Sequence, residues 1–166
     1  MPLTRRLPLF GLIAAVVVLA LDQASKWWIL NALHLPEVGQ IVLLPILKFT
    51  FVENRGVTFG LLNGLGPYSY LALAGVAFAV VVALGIWLRR AESWIVAISL
   101  GAIVGGAISN VIDRLRFGWV VDFINADIGF WPYVFNLADA AIVCGVITLL
   151  LDSLFTRARE PRSSEG

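Results

Sequence analysis

Residues 70–88 read YLALAGVAFAVVVALGIWL, a stretch with no charge and no proline. A hydrocarbon core about 30 Å thick needs about 20 apolar residues in a helix rising 1.5 Å per residue. This stretch can therefore cross a bilayer, and it decides the class of protein. Working outward, the uncharged run Ser93–Ile112 is a second span of the same kind. Two further apolar stretches are interrupted. Leu7–Leu30 contains Asp22 and Lys26, and Tyr133–Phe155 contains Asn136, Asp139 and Asp152. The expected fold is a mainly α membrane protein, one integral domain over residues 1–166. Its four transmembrane helices lie at about 7–30, 70–88, 94–112 and 133–155, with a polar cytoplasmic tail over about 157–166.

Arg5 and Arg6 ahead of an apolar stretch also outline a secretory signal. The stretch outruns the usual signal core, and Asp22-Gln23-Ala24-Ser25-Lys26 is a poor small-residue cleavage site, so the segment reads as a span.

Composition supports this class. Of 166 residues, 60% are apolar and 14% are charged, with twelve basic against eleven acidic residues and a net charge of +1. Disorder and nucleic-acid binding are disfavoured by that balance. The single cysteine, Cys144, cannot form an internal disulfide, and it lies too far from the single histidine, His34, to suggest zinc. Neither a metal nor a cofactor is expected. In so apolar a chain the ionisable residues are the informative ones.

Basic residues set the orientation. Arg5, Arg6, Arg89, Arg90, Arg157, Arg159 and Arg162 fall on one side of four spans, and Lys48, Arg55, Arg114 and Arg116 on the other. Both termini are therefore expected in the cytoplasm. Arg114 and Arg116, directly after the third span, run against the rule, which gives Arg114 a claim to a specific task.

The outer connections are not simple loops. Gln40–Glu53, QIVLLPILKFTFVE, is β-branched and aromatic with Pro45 inside it, which predicts an edge strand or hairpin at the membrane surface. Gly118–Ile124, GWVVDFI, has the same character. Together they are expected to form a small sheet on the outer face, and Asn63-Gly64-Leu65-Gly66-Pro67 predicts a turn before the second span.

Entering from the cytoplasm near Leu7, the first span places Asp22 about 22 Å along it and Lys26 about 6 Å further. Entering from outside near Tyr133, the fourth places Asp139 about 9 Å deep. Asn110, Asp113 and Arg114 end the third span at that level. The ionisable residues thus converge on one plane near the outer surface. Each has a plainer reading. Asp22 and Lys26, four apart, can pair along one helix face. Asn136 and Asp139 resemble a helix N-cap with an acidic third position. Asp113 can pair with its neighbour Arg114, and Asp127 can be solvated. Asp122 is harder to dismiss, because WVVDFIN sets a carboxylate inside an apolar run.

Elimination leaves carboxylates. His34 has no elbow-type serine motif to serve, Cys144 lies well inside a span, and no phosphate-binding glycine loop exists. Two aspartates sharing one proton can activate water with one member while the other protonates a carbonyl. A small proton-coupled carrier using intramembrane Asp and Lys is the rival reading, and a non-catalytic scaffold is a third.

The motifs Asp22-Gln23-Ala24-Ser25-Lys26, Val52-Glu53-Asn54-Arg55-Gly56-Val57-Thr58-Phe59-Gly60, Gly105-Gly106-Ala107-Ile108-Ser109-Asn110-Val111-Ile112-Asp113-Arg114, Val120-Val121-Asp122-Phe123-Ile124 and Phe135-Asn136-Leu137-Ala138-Asp139 resemble, in order and spacing, those of the bacterial lipoprotein signal peptidases, signal peptidase II. The resemblance implies an aspartic intramembrane endopeptidase with Asp122 and Asp139 as its dyad. It implies substrate contacts from Asn54, Asn110, Arg114 and Asn136, and support from Asp22, Lys26, Gly56 and Asp113. It further implies four membrane helices with a small β-cradle and a short surface helix on the periplasmic side, in the bacterial inner membrane. The implied partners are membrane lipids and a diacylglyceryl-modified prolipoprotein, cut just before its lipidated cysteine. A monomer is expected. The chain departs from the family pattern at Val57 and Thr58, where small residues are usual, and at Ser109, where glycine is usual. These changes are expected to narrow the cleft. Gly101, Gly105 and Gly106 are read as sites of close helix approach.

Overall fold

The computed structural model describes residues 6–56, 68–128 and 131–159. Val57, Thr58, the turn expected at Asn63–Pro67 and residues 160–166 lie outside them. Helix α1, Leu7–Trp27, continues as a wider π-type turn over Trp28–Ala32 and is followed by a one-turn helix α2, Leu35–Val38. Strands β1, Gln40–Leu44, and β2, Leu47–Asn54, precede helices α3, Ser69–Leu88, and α4, Trp94–Phe117. Strands β3, Val120–Ile128, and β4, Trp131–Phe135, lead into α5, Leu137–Arg159. Four of these helices are long and apolar enough to cross a membrane. Many of their large side chains point outward, among them Val76, Phe78, Leu150 and Leu154, as a lipid-facing surface requires.

Helix α4 is the central element, packed against α1, α3 and α5. Ser93 starts it by accepting the Val96 amide at 3.1 Å, and Gly118 ends it in the left-handed region at φ 82°. Small residues let its backbone approach its neighbours. A Cβ added at Gly101 would collide with the carbonyl of Gly11, and one at Gly105 with that of Ala15. Gly106 meets the Ala138 carbonyl in the same way, so the glycines expected to allow close approach do so against α1 and α5.

The four strands form one antiparallel sheet in the order β1-β2-β3-β4. Val52 pairs with Asp122 and Asn54 with Val120, which brings the ends of two of the sequence motifs side by side. Ile29, Leu35, Val121 and Phe123 form a core beneath the sheet, and Phe49 packs edge-on against both Trp28 and Phe123. The hairpin expected at 40–53 and the strand expected at 118–124 are both present.

The fourth span begins later than the sequence suggested. Tyr133–Phe135, expected to open the fourth helix, belongs instead to strand β4, which pairs with β3 and completes the sheet as its edge strand. Helix α4 also runs past Ile112, to Phe117, so Asp113, Arg114 and Arg116 are helical.

Candidate active site

Five segments deliver polar side chains to one end of the bundle. Asp22, Gln23 and Lys26 come from α1, Asn54 from the end of β2, and Ser109, Asn110, Asp113 and Arg114 from α4. Asp122 comes from β3, and Asn136 and Asp139 from the junction of β4 with α5. Among the described residues, the buried charged side chains are Asp22, Lys26, Asp113 and Asp122, all in this cluster.

Asp122 is 2% exposed. Its Oδ1 accepts from Asn136 Nδ2 at 2.7 Å and its Oδ2 from Asn54 Nδ2 at 2.9 Å. Asn54 is itself oriented by the Gly56 amide, which donates to Asn54 Oδ1 at 2.9 Å. Gly56 has φ 70°, a backbone shape that glycine adopts without strain. Asp139 Oδ1 accepts from Asn110 Nδ2 at 2.8 Å. Asn136 Oδ1 accepts the Asp139 amide at 2.8 Å, while the Asn136 amide donates to Asp139 Oδ2 at 3.4 Å. The reciprocal helix start suggested by the sequence is therefore present, and the same asparagine also binds Asp122. Capping and site-building are done by one side chain, and Asn136 ties the two aspartates together.

Behind this pair, Lys26 Nζ lies 2.6 Å from Asp22, 2.7 Å from Asp113 and 3.2 Å from Asn110 Oδ1. The pairing expected between Asp22 and Lys26 is thus one arm of a larger cluster. The pairing of Asp113 with Arg114 is corrected: Asp113 takes Lys26, the Gln23 amide at 2.8 Å and the Val121 backbone amide at 3.1 Å. Adjacent helical residues do not face each other, so Arg114 points elsewhere and donates to the Asn110 carbonyl at 3.3 Å. Asp127 is likewise not merely solvated, since Lys48 reaches it across β2 and β3 at 3.1 Å. Ser109 does not narrow a cleft. It is fully buried, and its hydroxyl donates to Asp22 at 2.7 Å while accepting from Gln23 at 2.9 Å. Gln23 was not singled out in the sequence; its place beside Asp22 was the available signal.

An open cleft of about 480 Å³ runs between Val52–Gly56 and Tyr133, Val134 and Asp139. Asp139 also borders an apolar recess of about 270 Å³ lined by Tyr133, Phe135, Ala140, Val143 and Cys144. One carboxylate thus faces both a polar groove and an apolar one.

Burial pushes the Asp122 carboxyl up to about 6, with the neighbouring Asp139 charge acting the same way and Asn54, Asn136 and Lys26 opposing. The folded state therefore prefers the protonated form. This group's contribution to stability is complete below the ordinary carboxylate range near pH ~3.9 and is lost as pH rises through about 6. Asp122→Asn cannot ionise. Its melting temperature, relative to that of the unsubstituted protein, is expected to climb between pH 4 and pH 8 in detergent, and a flat difference across that range would contradict the assignment.

Residues 14–155 match the family model described as signal peptidase (SPase) II. A lipoprotein signal peptidase of Methylorubrum extorquens is 47% identical over 152 residues, covering 91% of this chain and 89% of the relative. One from Caulobacter vibrioides is 41% identical over 143 residues, covering 86% and 84%. Among solved structures, a bacterial membrane enzyme superposes with a TM-score of 0.76 at 25% identity, covering 94% of this chain and 93% of the other. A second superposes at 0.75 with 27% identity, covering 87% and 92%. By sequence over most of its length and by fold, the chain belongs to the signal peptidase II family.

Proposed function

We propose that Asp122 and Asp139 are the catalytic pair with which this membrane peptidase removes the signal peptide from prolipoproteins. The observation that carries the proposal is Asn136, whose side-chain nitrogen donates to the Asp122 carboxylate and whose side-chain oxygen accepts from the Asp139 backbone amide. Two carboxyl groups held side by side in a poorly solvated site share one proton. The ionised member takes a proton from a water molecule as that water attacks the scissile carbonyl carbon. The protonated member donates to the carbonyl oxygen; on collapse of the tetrahedral adduct the first member passes its newly gained proton to the leaving nitrogen while the second regains one from an adduct hydroxyl, which restores the singly protonated pair. Activity then requires one proton on the pair, so a bell-shaped pH profile is expected whose limbs belong to the pair jointly.

The cut falls just before the diacylglyceryl-modified cysteine. A substrate anchored by acyl chains presents its peptide at the interface, where the polar cleft and the apolar recess meet at Asp139. Asn54, Asn110 and Arg114 hold substrate carbonyls, and Arg114 can also meet a lipid phosphate. The excess of basic residues beside the opposite ends of the spans puts both termini in the cytoplasm and this site near the periplasmic face of the inner membrane. The enzyme acts as a monomer. The carrier reading finds no support among relatives that are peptidases, and the clustering of buried charges at one end of the bundle gives no path through it.

Lipid dependence tests the proposal. Purified enzyme in detergent is expected to cleave a diacylglyceryl-modified prolipoprotein and to leave the unmodified precursor intact, read by gel shift. Equal cleavage of both would remove the lipid from the recognition. Asn136→Ala, which removes a donor from the Asp122 carboxylate and the side-chain acceptor from the Asp139 backbone amide, is expected to lower kcat by about 10²-fold in the same assay, the scale of a misplacement of about 1 Å.

A further inference from the structure

We infer that Lys26, Asp22 and Asp113 form a positioning clamp that sets the separation of Asp122 and Asp139, an inference that rests on reading those two as the catalytic pair. Asp22 and Asp113 are not simply counter-ions. Asp22 Oδ1 accepts the backbone amide of Ala138 at 2.9 Å, one residue before Asp139. Asp113 Oδ2 accepts the backbone amide of Val121 at 3.1 Å, one residue before Asp122. Each carboxylate thus grips the main chain immediately ahead of one member of the pair, and Lys26 joins the two grips at 2.6 and 2.7 Å.

An ammonium group has three donors. The third partner of Lys26 is Asn110 Oδ1 at 3.2 Å, which turns the Asn110 amide nitrogen toward Asp139. Ser109 and Gln23 hold the remaining freedom of the carboxylates, by hydrogen bonds of 2.7 Å to Asp22 and 2.8 Å to Asp113. Lys26, Asp22 and Asp113 are each no more than 3% exposed. Burying three charges is a poor route to stability, since well-packed apolar groups do as well or better. It is a good route to a fixed geometry, because a charge-assisted hydrogen bond has a short and narrow range of lengths. Asn136 links Asp122 to the start of α5 from the side of the pair, and the clamp adds a hold from α1 and α4 on the main chain just ahead of each aspartate.

The test compares Lys26→Met with the pair Asp22→Asn and Lys26→Met made together, beside Asp122→Asn, in the lipidated-substrate assay. The double variant restores the net charge of the cluster without restoring the bridge. The expected result is a kcat lowered about 10²-fold in both Lys26 variants with KM little changed, even where the double variant regains thermal stability. Return of kcat to the wild-type value in the double variant would overturn the clamp and leave Lys26 a charge balance. If neither variant folds, amide hydrogen exchange in the unsubstituted protein decides. Val121 and Ala138 exchanging together among the slowest amides supports the clamp, and fast exchange of either overturns it. Should Asp122→Asn cleave normally, the reading of the pair itself fails, an outcome distinct from failure of the clamp.

Discussion

Asp139→Asn is expected to lower kcat on lipidated prolipoprotein on the order of 10³-fold, while the protein still inserts, folds and binds substrate. Asparagine has the shape of aspartate, so α5 should start as before and the cleft keep its form. The amide nevertheless can neither take a proton from water nor give one to a carbonyl. Asp122→Asn should cost as much, and the double variant little more, because two groups that act as a unit do not contribute additively. In the proposed mechanism Asn54, Asn110, Arg114 and the apolar recess hold the substrate, so KM should move far less than kcat. The check is steady-state cleavage beside a thermal melt of each variant. A variant that cuts at the normal rate would dissolve the pair.

Gly101→Val is expected to have the largest effect on the fold. A Cβ there meets the backbone carbonyl of Gly11, and no flexible side-chain end is available to move aside. Helices α1 and α4 must separate, and with them Lys26 from Asp113. Overpacking of this kind costs about 3 kcal/mol or more, and here both contacting groups are main chain. A fall in melting temperature and in the yield of folded protein should accompany loss of activity. At Gly75 and Gly85 of α3, where an added Cβ meets nothing within 4 Å, alanine should be tolerated. An equal loss at Gly75 and Gly101 would remove the close-packing account of α4.

Much of this was legible in the sequence, for identifiable reasons. The spans were readable because bilayer thickness sets helix length, and because Tyr70–Leu88 and Ser93–Ile112 contain nothing else. Asp122 stood out as a carboxylate inside a β-branched run. The start of α5 differs from the sequence reading because Tyr133–Phe135 is as apolar as a membrane helix; only its pairing with β3 makes it a strand. The partner of Asp113 was misread for a related reason. Arg114 is its neighbour in sequence, but the helix turns it away, and Lys26 on another helix takes its place. Ser109 looked like a change in the cleft because it precedes Asn110. Adjacent residues on a helix face different directions, and Ser109 faces Asp22 in the interior. Local chemistry was readable wherever one element decided it; partners drawn from two elements were not.

The most direct test is mass spectrometry of the products that the purified, detergent-solubilised protein releases from a diacylglyceryl-modified prolipoprotein, run beside Asp122→Asn. A single cut whose new N-terminus is the lipid-bearing cysteine, absent in the variant, is the result this account requires. A cut at another bond, or the same cut persisting in Asp122→Asn, would contradict it.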